Sequence, residues 1–316
     1  MKKAIKNAPV RLFIRCFFVL LVTHFSTFAS VQPENLRCEY LENPLGIGIR
    51  KPRFNWIITS SVPNIRQTAY ELLVSEQKEE LEENRGSQWY SGKIKEEGSI
   101  QVIYKGNPLK PFTRYFWKVR IFDEHDIPSS WSEIQWFETA MLSPEDWEAQ
   151  WIGNGQPQFQ NDEEFYQEDP MPLFRKEFTI QKQIRSARLY ICGLGYHEAY
   201  LNGEKIGDHV LDPGWTAHKK QNLYVTHDIT GLIRKGKNTT GIMLGNGWYN
   251  PLPLQLFARF NIRDHQQTGR PVVKAQIHLN YMDGSTEIIQ TDNSWFTTQG
   301  PVIKNNVYLG EHYDGR

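Results

Sequence analysis

Three scarcities bound what this chain of 316 residues is able to do. Cysteine is sparse: of three, Cys16 lies in an N-terminal apolar run, which leaves Cys38 and Cys192 in different predicted domains. Two such residues make no disulfide framework, and a free cysteine commonly serves as a small buried hydrophobe, so two buried thiols are expected. Net charge is missing as well, with 36 Lys plus Arg against 36 Asp plus Glu. No long-range field then draws the protein to nucleic acid, an anionic membrane or an acidic substrate, and recognition must be local. Apolar runs are short. The run Cys16-Phe17-Phe18-Val19-Leu20-Leu21-Val22 falls well below the ~20 residues of a spanning helix. It follows Lys2, Lys3, Lys6, Arg11 and Arg15 and precedes Thr27-Phe28-Ala29, so residues 1–29 read as a cleaved signal peptide. An exported protein, periplasmic or extracellular, is expected, with no membrane span after cleavage.

Catalytic motifs are equally scarce. No Gly-x-Ser-x-Gly nucleophile elbow occurs. Gly231 to Lys237 has the spacing of a phosphate-binding loop, but Asn238 stands where a magnesium-holding hydroxyl is needed. His197-Glu198 lacks the second histidine of a helical zinc site and lies on a strand pattern. His227-Asp228 reads as a strand end at which Asp opens a turn. The acid cluster Asn161-Asp162-Glu163-Glu164 and Glu168-Asp169 lacks the glycine punctuation of a calcium loop, so an exposed loop is expected.

Aromatic residues are plentiful, with 10 Trp, 14 Tyr and 17 Phe, and most of what surrounds them has the period of strands. Seven short strands are expected before residue 140: Leu36 to Tyr40, Arg53 to Ile58, Gln67 to Ser75, Trp89 to Ser91, Gln101 to Tyr104, Arg114 to Asp123 and Glu133 to Thr139. In the sixth, Tyr115, Trp117, Val119 and Ile121 share an apolar face opposite Lys118 and Arg120. Glu76 to Glu83 is a charge run, expected as a solvated loop or one helical turn. Ser143-Pro144-Glu145-Asp146 signals a helix start. Trp147 and Trp151 offer two anchors for a rigid junction.

Longer strands follow. Val273, Ala275, Ile277, Leu279 and Tyr281 alternate with polar residues, and Asp283-Gly284 turns the chain into Glu287 to Gln290. Leu189 to Trp215, with Asn202-Gly203 as a type I′ turn, reads as one hairpin. The fold class is therefore all-β, two consecutive β-sandwiches after a signal peptide. The first is immunoglobulin-like or fibronectin III-like, and the second is a jelly roll of about eight or more strands.

The stretches ENPLGI, PRFNW and YFWKVRIFDEHDIPSSWSE resemble the opening module of bacterial α-L-rhamnosidases. LYICGLGYHEAYLNGEKIGDHVLDPGW and DITGLIRKGKNTTGIMLGNGWYN resemble that family's N-terminal jelly roll, LGNGWY above all. EHYDGR at the C-terminus is similar to a segment the family has upstream of its (α/α)6 barrel. With the signal peptide over 1–29 and a linker with an acidic loop over 141–172, the resemblance implies a fibronectin type III-like sandwich over 31–140 and a jelly roll over 173–316. It places the inverting acid and base on the barrel, so no catalytic residue is assigned here and the chain alone is expected to be inactive. It also implies, as partners, rhamnose-containing glycans or glycosides and the barrel in cis. An unpaired edge or apolar patch is expected near Tyr308 and Tyr313.

Because some members carry a calcium-dependent rhamnose-binding jelly roll, Trp215, Trp248, Tyr249 and Asn246 are the candidate sugar contacts. Asn202, Asp212, Asn246, Asn250 and the Pro251 carbonyl are the candidate Ca2+ ligands. A plainer reading makes Asn202 and Asn246 turn residues and the aromatics core. Three functions stay open: accessory region of a rhamnosidase, a stand-alone exported carbohydrate-binding protein, or a structural or adhesive pair of sandwiches. An in-frame barrel downstream of Arg316 separates the first from the second.

Overall fold

The computed structural model describes residues 31–256 and 260–316, so the signal-peptide expectation for 1–29 lies outside the described residues. All seven strands expected in the first module are present, with ends that differ by a few residues. They are β1 (Val31–Cys38), β2 (Arg53–Ser60), β3 (Ala69–Ser75), β4 (Trp89–Tyr90), β5 (Val102–Ile103), β6 (Arg114–Phe122) and β7 (Gln135–Glu138). They form a three-stranded sheet, β1-β2-β5, and a four-stranded sheet, β4-β3-β6-β7. Tyr115, Trp117, Val119 and Ile121 are fully buried against Phe54, Trp56, Leu72, Val74 and Phe137 between the sheets, as a period of two requires of a strand with one core face.

The other face of β6 is less wet than its charges suggest. The charge run forms α1 (Lys78–Glu82), and its buried Leu81 caps that face. Lys118 is buried beneath it, donating to the Leu81 carbonyl and, at 2.6 Å, to Asn84 Oδ1. Burial holds its ammonium below the usual lysine pKa.

The helix start at Ser143 is a short 3-10 turn over Pro144–Asp146, with Asp146 Oδ2 accepting the backbone N–H groups of Leu142 and Ser143 at 2.8 Å each. The acidic stretch forms another over Glu163–Tyr166, and Asp169 pairs with Arg270 at 2.6 Å.

The second sandwich has nine strands in its two main sheets. One runs β11 (Glu204–Lys205), β10 (Tyr196–Leu201), β13 (Gly236–Gly245), β8 (Pro172–Ile180) and β18 (Phe296–Gln299). The other runs β12 (Val225–Asp228), β9 (Ile184–Leu194), β16 (Val272–Tyr281) and β17 (Thr286–Gln290). Two-stranded ribbons, β14 (Gln255–Leu256) with β15 (Phe260–Asn261) and β19 (Val302–Asn306) with β20 (Gly310–Tyr313), lie outside these sheets. The β16–β17 hairpin turns at Asp283-Gly284 as expected. Asn202 and Gly203, with φ of 54° and 88°, make the two positive angles of a type I′ turn between β10 and β11.

Leu189 to Trp215 is not one hairpin. At Gly195, φ 119°, the chain leaves one sheet and enters the other, and a Cβ there would lie 2.3 Å from the Gly245 carbonyl oxygen. Leu189 and Ile191 of β9 meet Ala199 and Leu201 of β10 inside the sandwich.

The β9–β16 sheet is buried on both faces. Its outward residues Arg188, Tyr190, Gln276 and His278 are cross-strand neighbours that meet the first sandwich. Arg188 Nε and Nη2 reach the two Glu138 oxygens at 2.7 and 3.1 Å, and Tyr190 packs with Ala140 and Met141. Phe112 lies 4.0 Å from His278, ring centre to ring centre. Gln276 Oε1 accepts the Glu148 N–H at 3.0 Å and its amide donates to the Asp146 carbonyl at 3.2 Å. Trp147 joins this junction edge-on to Tyr224, whereas Trp151 is exposed, so one of the two expected anchors serves. Cys38 and Cys192 are buried free thiols, and burial pushes Cys192 up to about 11.

Candidate functional site

The expected sugar-contact residues gather at the β13 end of the second sandwich. The turn that ends β13 carries Asn246, Trp248, Tyr249 and Asn250. The loop after β11 brings Trp215 to it, stacked on Trp248 at 4.7 Å and 17°. Trp215 is 50% exposed. Tyr308, which sequence reasoning did not assign to this cluster, stands edge-on to Trp248 at 5.7 Å. Tyr249 is buried and meets His218 edge-on, as a core residue does.

Asn246 is not a positive-φ turn residue; Gly247, φ 51°, takes that role. The Asn246 side chain instead ties two segments together. Its amide donates to the Asn305 carbonyl at 2.9 Å, and its backbone N–H donates to Asn305 Oδ1 at 2.7 Å.

The oxygens expected to hold calcium divide into three groups. Asn246 Oδ1 accepts from Asn250 Nδ2 at 2.8 Å, and the Asn250 Oδ1 and Pro251 carbonyl both accept from Arg263 Nη1, at 3.1 and 2.7 Å. Two of these oxygens, Asn250 Oδ1 and the Pro251 carbonyl, do converge on a cation, but that cation is the Arg263 guanidinium. Asp212 is separate, its carboxylate held by His209 Nδ1 at 2.8 Å. Asn202 sits at the far end of β10, because Tyr196 pairs with Gly245 and Leu201 with Thr240. Its Oδ1 accepts the Thr239 N–H at 3.0 Å and its amide donates to Leu232 O and Asn238 Oδ1. One ion cannot bridge these groups at the ~2.3 to 2.6 Å that calcium requires. Among the described residues, no three of His, Cys, Asp and Glu are placed to hold a metal.

Asn238 fills no phosphate site either. It is buried, accepts from Arg234 N at 2.9 Å, and donates to the carbonyls of Arg234 and Gly236 at 2.7 and 3.0 Å. The buried carboxylates are also committed. Glu71 is bound by Arg120, Glu138 by Arg114 and Arg188, and Asp123 accepts the N–H groups of His125 and Ile127. A groove of about 480 Å³ lies elsewhere, on the first sandwich beside Glu34, Glu42, Trp131 and Glu133.

Comparison with known proteins accounts for both sandwiches. Residues 33–143 match the Rha78A-like N-terminal immunoglobulin domain, and residues 182–316 match the α-L-rhamnosidase N-terminal domain. An α-L-rhamnosidase of Formosa agariphila is 36% identical over 291 residues, 87% of this chain and 30% of the relative. One of an Alteromonas species is 33% identical over 94% of this chain and 32% of its own length. The solved α-L-rhamnosidase of Dictyoglumus thermophilum superposes with a TM-score of 0.80 at 38% identity, covering 90% of this chain and 31% of that one. The chain thus spans about a third of the length of the relatives it matches. It belongs to the N-terminal region of the α-L-rhamnosidase family, an immunoglobulin-like domain followed by the family's N-terminal jelly roll.

Proposed function

We propose that this chain is the accessory, non-catalytic part of an exported α-L-rhamnosidase, and that it supports and shapes a catalytic barrel that acts on rhamnose-containing glycans or glycosides. The observation that carries this reading is the commitment of the buried carboxylates, Glu71 and Asp123 within the first sandwich and Glu138 at the junction. Glycoside hydrolysis needs an acid and a second carboxylate across the scissile bond, whereas Glu71 and Glu138 here are neutralised by arginines. What the two sandwiches offer instead is a stiff platform, joined through Arg188, Tyr190 and His278.

The test is a chimera in which this chain replaces the matching N-terminal third of the Formosa relative. The expected result is a soluble enzyme that retains turnover of an aryl rhamnoside, while deletion of the same third leaves insoluble or inactive protein. Full activity of the deleted form would sink the idea.

A second reading, that the jelly roll binds a rhamnose-type sugar, is favoured by the half-exposed Trp215 stacked on Trp248. Aromatic faces of this kind suit the C–H face of a sugar ring. Calorimetry is expected to give a Kd between ~1 mM and ~1 μM that is lost in Trp248→Ala and unchanged by chelators, since Arg263 already fills the oxygen cluster. An absence of heat in folded protein removes this reading.

A further inference from the structure

The loop from Ile206 to Trp215 covers an unusual histidine cluster at the edge of the second sandwich. His197 of β10 points inward: it is 6% exposed, and neither ring nitrogen has a hydrogen-bond partner. A buried imidazole without a partner is rare enough to need a physical reason. Its walls are uncharged on two sides, with the Gly193 backbone of β9 and the Leu244 side chain of β13 nearby. The charged and titratable groups come from two other elements. From β12 comes His227, half-buried and paired in register with Leu189, so it faces the same interior. From the loop come His209, its ring 5.7 Å from that of His227, and the carboxylates of Asp208 and Asp212.

The loop is tied down at this place. Its Asp212 carbonyl accepts the His197 N–H at 2.8 Å, and the Asp212 carboxylate is spent on His209. Val210 and Leu211 project outward at 70% and 66% exposure, and Leu211 has φ of 58°, which a branched side chain adopts at a cost. The loop is anchored at its two ends, by buried Ile206 and by Trp215 on Trp248, while its middle is held to β10 by the Asp212 carbonyl and carries a positive φ at Leu211.

We propose that the 206–215 loop is a proton-sensitive cover, released from the sandwich edge when His197 and His227 take up protons. A charged His197 has no hydrogen-bonded acceptor on either ring nitrogen and faces a second cation at His227. Relief requires water to enter or the Asp212 carboxylate to leave His209, and either route breaks the loop's attachment. Burial lowers the pKa of both rings, His197 to about 4, so release belongs to acid conditions and the cover is closed near neutrality.

Hydrogen exchange on the whole chain tests this, at about pH 7.5 and about pH 4.5 with intrinsic rates corrected. Protection of amides 207–214 is expected to fall about tenfold or more in acid, while β8 and β16 keep theirs. In His197→Leu, whose side chain suits the apolar neighbour Leu244, the loop is expected to hold its protection at both pH values. If that variant fails to fold, His227→Gln serves, and is expected to move the transition to lower pH. Equal protection of the wild-type loop at both pH values would overturn the proposal. So would an unchanged acid response in both substitutions.

Discussion

At the scale of single residues, the junction rests on Arg188. It is a lone cation in the apolar strand ARLYICGL, fully inside the protein, with Glu138 from the other sandwich on its fork and Asp228 at 2.8 Å. Removing one partner strands a buried charge, so Arg188→Ala is expected to cost about 3 to 5 kcal/mol in urea unfolding. Replacing the pair together, Arg188→Met with Glu138→Leu, is expected to recover much of that; equal losses in the single and double variants would count against a stranded charge. His278 adds a pH dependence to the same place. Burial against Phe112 pushes it down to about 4 from an unfolded 6.5. Between those values the unfolded chain binds more protons, so stability is complete above pH 6.5 and drains as pH falls toward 4. For this one group the loss is about 3 kcal/mol, and His197, shifted alike, adds to it. His278→Phe is expected to flatten the curve of stability against pH over that window; an unchanged curve would remove His278 from the account. The sequence carried a hint of this junction, since an arginine amid apolar neighbours in a strand asks for a buried partner. It could not name Glu138, because that partner lies 50 residues away on a different module.

Elements were legible where a period of two and a turn dipeptide acted together. Asn202-Gly203 turns with both φ angles positive, the Asp283-Gly284 turn needs a positive φ at Gly284 alone, and β6 presents the four buried residues that its alternation implies. The change of sheet at Gly195 was not legible, because both sides of the glycine keep the apolar character of a buried strand. Nor were the fates of the asparagines, since a polar side chain near a turn reads the same whether it meets a metal, a sugar or a backbone carbonyl. Asn238 decides the question for its own loop by holding Arg234, Gly236 and Asn202 at once. Asn238→Ala leaves several buried groups unpaired and is expected to destabilise by about 2 to 3 kcal/mol, read as a lower urea midpoint with the slope unchanged. A shift within error would mean that water replaces those bonds freely.

For the whole molecule, the buried interface between the sandwiches predicts one cooperative unfolding transition seen alike by fluorescence and circular dichroism. Two resolved transitions would show the modules to be independent. The surface is less complete. Leu309 in the turn of the β19–β20 ribbon and Tyr313 at the end of β20 are 50% and 69% exposed, and β18 is an open edge of its sheet. Exposed apolar groups beside unpaired edges favour association, so the chain is expected to self-associate in sedimentation and Tyr313→Ser with Leu309→Ser to reduce it. The central proposal concerns chemistry: that the two sandwiches of this α-L-rhamnosidase N-terminal region lend support and no catalysis. Incubation of the purified chain with an aryl α-L-rhamnoside tests it most directly. The account predicts release of the aryl group no faster than in buffer, and turnover that disappears on exchange of a carboxylate within residues 31–316 would contradict it.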